Sequence, residues 1–298
     1  MEKVITVKNF SKSFGKTKVI HDLSFEVYKG EIFAFIGGNG QGKTTTIRSL
    51  LGIFHPDSGS LLINGEKYSP ERSSMLGYLP EERGLYTNSK VIDTMVYFGE
   101  IKGMTASEAK KKSRELLEII GLPDKENEQI KKLSSGQQQK IQLAITIIND
   151  PDLLVLDEPT KGLDPVNRDL FMKMFLDLNK RGATIIFSTH QMDEAEKVAD
   201  RLLMIKKGRR ALYGDLDQTK ESFGKSIQMK FSGEFPENTD LYNARVENKS
   251  AELTPASDID PQQILNFLIS KNVKIHKFEV STPSLNEIFI RVSEDSNY

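Results

Sequence analysis

An apolar run from Glu31 to Ile36 leads directly into Gly37-Gly-Asn-Gly-Gln-Gly-Lys-Thr44, and Thr45 to Leu51 then reads as the start of a helix. The central eight residues fit G-x-x-x-x-G-K-[ST]. A buried strand, a glycine turn and a helix N-terminus in that order gather backbone N–H groups and the positive end of a helix dipole at one point. That arrangement suits a triphosphate, so the chain is expected to bind a nucleotide. Lys43 is expected to reach the β- and γ-phosphates, and the Thr44 hydroxyl to help hold Mg²⁺. Glycines at 37, 38, 40 and 42 let the backbone approach the phosphates without Cβ clashes.

The 298 residues are enough for one large α/β domain plus a smaller one. With 38% hydrophobic and 28% charged residues, the chain is expected to fold rather than stay disordered. A formal net charge of −1 gives no electrostatic reason to expect nucleic acid as a partner. The local basic run from Lys206 to Arg210 reads as a solvated turn between strands. Cysteine is absent, which excludes disulfides, thiolate zinc sites and cysteine nucleophiles and agrees with a reducing cytosol. Met1 to Gly15 lacks the apolar core of a signal peptide, and no apolar run approaches the roughly 18 residues that span a bilayer. A role at a membrane would need another chain to do the spanning.

Residues 1 to 35 read as short strands with turns, and Asn64-Gly65 as a hairpin. From about Ser89 to Leu133 the pattern is helical, with Leu116, Leu117, Ile119 and Ile120 on one apolar side and Gly121 as a stop. Leu170, Phe171, Met174, Phe175 and Leu178 recur at helical spacing, and the methionines there read as core. Beyond Tyr213-Gly214, a connection from Asp215 to Lys225 leads to a small α+β appendage. Its pattern is strand (Ser226–Ser232), strand (Ala244–Leu253), helix, strand, helix.

Three further segments carry chemistry. Leu153 to Pro159 reads as a buried strand delivering Asp157 and Glu158 to its C-terminal edge, where open parallel sheets bind ligands. Asp157 is expected to hold the metal, and Glu158 to orient or deprotonate the attacking water. Leu133-Ser-Ser-Gly-Gln137 opens a helix and ends 20 residues before Asp157, leaving two readings open. Ser134, Gly136 and Gln137 either cap the γ-phosphate held by a partner subunit, or form an N-cap with no ligand. His190 ends the strand Ala183–Ser188, expected beside the Asp157 strand and within reach of the γ-phosphate and the water. His21, His55 and His276 read as structural or exposed.

In this order the features resemble the nucleotide-binding subunit of ATP-binding cassette (ABC) transporters, over residues 3 to 215. The resemblance implies a P-loop NTPase fold with an antiparallel β subdomain and an α-helical subdomain. The ATPase domain would span 1–214, with the helical insertion at about 89–150, and the accessory α+β domain would span 215–298. It makes Phe14 the aromatic that stacks on adenine. Gly37 to Thr45, with Asn39, Gln41 and Thr45, becomes the Walker A loop, and Leu133 to Gln137 the signature. Asp157 and Glu158 become the Walker B aspartate and catalytic glutamate, Gly162-Leu163-Asp164 the D-loop, and His190 the switch histidine. The implied cofactors are ATP and Mg²⁺.

The chain departs from the family where Gly77-Tyr-Leu-Pro is followed by Glu81 rather than glutamine. A carboxylate there can still contact Mg²⁺ or water, yet it adds negative charge beside the phosphates. Pro80 to Tyr86 and the appendage look like the sodium- and drug-exporter branch. Gly38 for the usual proline and Ser135 for the second signature glycine are smaller departures.

The resemblance implies a peripheral ATPase at the cytoplasmic face of the membrane, paired head to tail as a homodimer or heterodimer around two ATP molecules. A separate membrane permease would dock on the surface from Glu81 to Tyr86 and on the helical subdomain. The rival reading is a soluble ATP switch acting on ribosomes or DNA. Ribosome-acting relatives carry two cassettes, and chromosome-type relatives insert a coiled coil. Here Lys43 and Asp157 are 157 − 43 = 114 residues apart, with no sustained heptads between them. An appendage that binds a regulatory ligand is compatible with the exporter reading.

Overall fold

A computed structural model describes residues 2–69, 75–82, 84–256 and 259–294 and divides the chain into two compact units, one running to Asp215 and one beginning at Leu216. In the first unit, β3 (Ile32–Ile36), β6 (Leu153–Asp157) and β7 (Thr184–Thr189) are buried at every residue. Such continuous apolar strands belong in a parallel sheet covered on both faces. With β5 (Leu76–Leu79), β8 (Arg201–Lys206) and β9 (Arg209–Asp215), they form a six-stranded sheet of order β5-β6-β7-β3-β8-β9. Every pairing is parallel except β8 with β9. The turn joining those two holds Lys207 and Gly208 at positive φ, as the basic run implied.

Register decides what this sheet can do. Ile36 pairs with Thr189, and Asp157 with Ser188. The loop after β3, the carboxylates ending β6 and the histidine after β7 therefore leave from one sheet edge.

A second, antiparallel sheet of order β2-β1-β4 is built from β1 (Lys3–Phe14), β2 (Thr17–Tyr28) and β4 (Ser58–Ile63). Alternation buries Leu23, Phe25 and Val27 of β2. Asn64 and Gly65 follow β4 with φ of 50° and 79°, the pair of positive values a tight hairpin turn requires.

The helical region consists of α2 (Val91–Ile101), α3 (Ala106–Ile119) and α4 (Ser135–Thr146). A capping box between Thr105 and Glu108 starts α3. Its buried face is Ala109, Ser113, Leu116 and Leu117, continued by Ile120, whereas Ile119 is 53% exposed. Ile119 thus leaves the expected apolar side, because the spacing of the other residues fixes a stripe that misses it. Along α5 (Pro165–Lys180), Phe171, Met172, Met174, Phe175 and Leu178 are buried core, and Leu170 is half-buried.

The second unit holds an antiparallel sheet of order β11-β12-β13-β10-β14. Its strands are β10 (Ser226–Ser232), β11 (Asn238–Thr239), β12 (Tyr242–Glu247), β13 (Ser250–Pro255) and β14 (Lys274–Ser281). The stretch Ala244–Leu253, expected as one strand, is a hairpin. Glu247 pairs with Ser250, and Asn248 takes φ 54° at the turn, a conformation asparagine tolerates. The connection after Asp215 carries a helix over Leu216–Ser222. A further helix, Pro261–Ser270, sets Ile264 and Leu268 among the core residues Ile227 and Leu253. The last helix of the unit spans Leu285–Glu294. Among the described residues, no helix is long and apolar enough to cross a membrane.

Candidate nucleotide-binding site

The helix that follows β3, α1 (Lys43–Leu50), begins without a side-chain cap. Its first backbone N–H groups have no partner within the helix, so they are free for an anion. Gly42 makes the entry feasible. Its φ is +106°, and a Cβ there would lie 2.3 Å from Ile20 Cδ1. Any larger residue would strain the backbone and collide.

The loop opens on a cleft of about 510 Å³ lined by Asn39 to Thr45, with Phe14, Val19, Glu81, Glu158 and Lys161 completing the wall. A cavity of about 540 Å³ lies at the opposite end of the parallel strands, bounded by Val4, Ile63, Leu76 and Leu153, and contains none of the motif residues. Ligand chemistry belongs with the first, at the carboxyl ends of the strands.

Within the cleft the charges are already paired. Buried Lys43 donates from Nζ to the carbonyls of Gly37 (2.7 Å) and Gly38 (3.3 Å), and its ammonium lies 3.1 Å from Glu158 Oε1. His190 Nδ1 sits 2.8 Å from the other oxygen of Glu158, which it meets as the donor. Glu158 has φ 49°, a rare conformation for a residue with a Cβ, and its N–H donates to Ser188 Oγ at 2.9 Å. The strained turn points its carboxylate at the loop lysine.

Asp157 is fully buried. Its Oδ1 accepts from Ser188 Oγ (2.6 Å) and Thr44 Oγ1 (3.2 Å), while Oδ2 has no hydrogen-bond partner. Burial pushes the carboxyl above its ordinary range, the hydroxyls pull it down, and Glu81 and Glu158 push it up again. An orphaned carboxylate oxygen beside a threonine hydroxyl is the donor chemistry a hard divalent cation takes. Asp157 and Thr44 therefore fit Mg²⁺. Among the described residues, no cluster of three metal-ligating side chains exists.

Glu81, at the glutamine position, meets Lys161 at 2.6 Å. That hydrogen bond holds its carboxyl below the ordinary range, against the opposing effect of burial. Phe14 is 44% exposed and packs edge-on against Phe54 with centroids 5.2 Å apart, leaving ring surface at the cleft wall.

Ser134, Gly136, Gln137 and Asp164 are not among the residues lining the cleft. Ser134 and Gln137 form a reciprocal capping box at the start of α4. Asp164 caps α5, accepting from the Asn167 N–H at 3.0 Å. Arg83, within the stretch expected to meet a permease, lies outside the described residues.

Two contributors escaped the sequence reading. Ser188, noted only as a strand end, ties Asp157 to the Glu158 backbone. Lys161 sits three residues past Glu158, and only the fold shows that it faces Glu81. The negative charge that Glu81 adds beside the expected phosphates was the available clue that a cation was due nearby.

Residues 20–161 match the ABC transporter family, and residues 214–293 match the C-terminal domain of DrrA1-3-like ATP-binding proteins. The uncharacterized ABC transporter ATP-binding protein YhaQ of Bacillus subtilis is 36% identical over 96% of this chain and 97% of its own. The Nod factor export ATP-binding protein I of Burkholderia lata is 40% identical over 70% of each chain. The linearmycin resistance ATP-binding protein LnrL of Bacillus subtilis is 33% identical over 71% of this chain and 69% of its own. A solved ATP-binding subunit of an ABC transporter covers 74% of this chain and 93% of its own, with a TM-score of 0.69 and 28% identity. Cleft, topology and sequence agree: the chain belongs to the ABC transporter ATP-binding proteins, the ATP-hydrolysing subunits of these transporters.

Proposed function

We propose that this chain is the ATPase subunit of an exporter, peripheral at the cytoplasmic face of the membrane. It would drive a separate permease by closing as a head-to-tail dimer around two ATP molecules. The observation that carries this reading is the Lys43–Glu158 contact inside a cleft that excludes the chain's own Ser134 turn. A pocket with a lysine, a carboxylate and an uncapped helix end on one wall, and no lining from the signature turn, supports reading it as half of a composite site.

The residues divide the work as follows. Lys43 and the first N–H groups of α1 bind the β- and γ-phosphates. Thr44 and Asp157 would hold Mg²⁺, which when bound neutralises phosphate charge. Lys43 meets Glu158 across 3.1 Å. A γ-phosphate that draws the ammonium away leaves Glu158 free to accept a proton from the attacking water. His190 holds the second Glu158 oxygen and keeps the carboxylate aimed, and Phe14 offers its ring to the adenine.

Docking on a permease is supported by an exposed aromatic cluster on the helical region. Tyr86 and Tyr97 are 54% and 46% exposed, their rings 5.7 Å apart, and Ile101 on the same helix as Tyr97 is 57% exposed. Relatives named for Nod factor export and for linearmycin resistance support the outward direction. Affinity purification from detergent-solubilised membranes tests the assignment. A stoichiometric polytopic membrane protein is expected, and ribosomes or DNA in its place would establish the soluble-switch alternative.

A further inference from the structure

Two carboxylates line the triphosphate cleft, Glu81 and Glu158, and a third, Asp157, stands behind Thr44. The lysines in the lining are Lys43 and Lys161. Lys43 is committed to Glu158 and to two loop carbonyls. Arg48 pairs with Glu82 at 3.6 Å. Lys161 is the cation that meets Glu81, at 2.6 Å. The Lys161 side chain is 58% exposed and that of Glu81 30%, so as a stabilising contact the pair counts for little. Its consequence lies in what enters the cleft. A triphosphate brings several negative charges within Coulomb reach of Glu81, and Lys161 offsets the carboxylate that would repel them.

We propose that Lys161 is a positioning residue for Glu81, holding that carboxylate neutralised at the cleft wall and thereby setting how strongly nucleotide binding depends on a divalent cation. Without Lys161, a metal-free nucleotide meets a bare carboxylate and is repelled. A nucleotide carrying Mg²⁺ is tolerated, because the same carboxylate attracts the cation. This inference rests on reading the cleft as the nucleotide site.

The test is equilibrium titration of the full chain with a fluorescent ATP analogue, once in EDTA and once in excess Mg²⁺. The readout is the ratio of the two dissociation constants. Lys161→Met should raise that ratio about three- to tenfold, the effect of one unit charge several ångströms away, partly screened by salt. Lys161→Arg should leave the ratio unchanged, and Glu81→Gln combined with Lys161→Met should return it to the wild-type value. If Lys161→Met shifts both constants equally, or the double variant keeps the raised ratio, the proposal is overturned. A wild-type chain that fails to bind the analogue in either buffer would overturn the site reading itself, an outcome distinct from any change in the ratio.

Discussion

The two units each place carboxylates in a cleft and treat them in opposite ways. At the sheet edge of the first unit, Glu158 has one oxygen on Lys43 and the other on His190, and Asp157 is met by two hydroxyls. In the second unit a cleft of about 460 Å³ brings Glu252 toward Glu287, with Arg245 and Arg291 in its wall. There, burial and a hydrogen bond shared with Glu287 push Glu252 up to about 7, against the downward pull of Arg245 and Ser226. The same side chain is met by a lysine and a histidine in one setting and is pushed toward its protonated form by burial and a second carboxylate in the other. In the first a buried lysine touches the carboxylate, whereas in the second a hydrogen-bond partner is another carboxylate and the arginines stand in the wall.

The largest expected effect sharpens that contrast. Glu158→Gln should retain ATP binding and cut turnover by about 10²–10⁴, the usual share of a general base; unchanged steady-state hydrolysis would remove Glu158 from the mechanism. Next comes the second unit's own core. Leu253 is fully buried, and Leu253→Ala should cost about 2–5 kcal/mol, seen as an earlier thermal transition. Lys43→Ala removes a charge-assisted contact to phosphate of about 1.5–3 kcal/mol. Mg-nucleotide affinity should therefore fall about ten- to a hundredfold, and wild-type affinity would contradict the assignment.

The smallest effect concerns Glu252. Its folded value of about 7 lies above the ordinary 4.5, so between these values the folded state binds a proton that the unfolded state releases. The second unit should therefore lose stability as pH rises through that window and change little above it. Glu252→Gln should flatten the slope in thermal midpoints. A slope that persists would show that other groups titrate there.

The same contrast explains what the sequence disclosed. Asp157, Glu158 and His190 each terminate a buried apolar strand, and the phosphate loop is one continuous peptide, so their convergence at a sheet edge follows from local pattern. The Asn64-Gly65 turn and the buried methionines of α5 were legible for the same reason. The Glu252 cleft was not. Its members lie on two strands and a distant helix, and no local spacing brings residue 252 to residue 287. The Ala244–Leu253 hairpin was hidden because Asn248 turns without a glycine, and Ile119 because three adjacent aliphatics masked which ones face inward. Lys161 required knowing that the loop after β6 passes the end of β5, a matter of strand order.

The central claim is that this cleft is half of a site that the Ser134 turn of another subunit completes. Light scattering on the size-exclusion eluate of the Glu158→Gln chain with Mg-ATP tests it most directly. The account predicts the mass of two subunits, returning to that of one when Ser134→Arg is added. A dimer that survives Ser134→Arg, or a wild-type single subunit that hydrolyses ATP unaided, would contradict it.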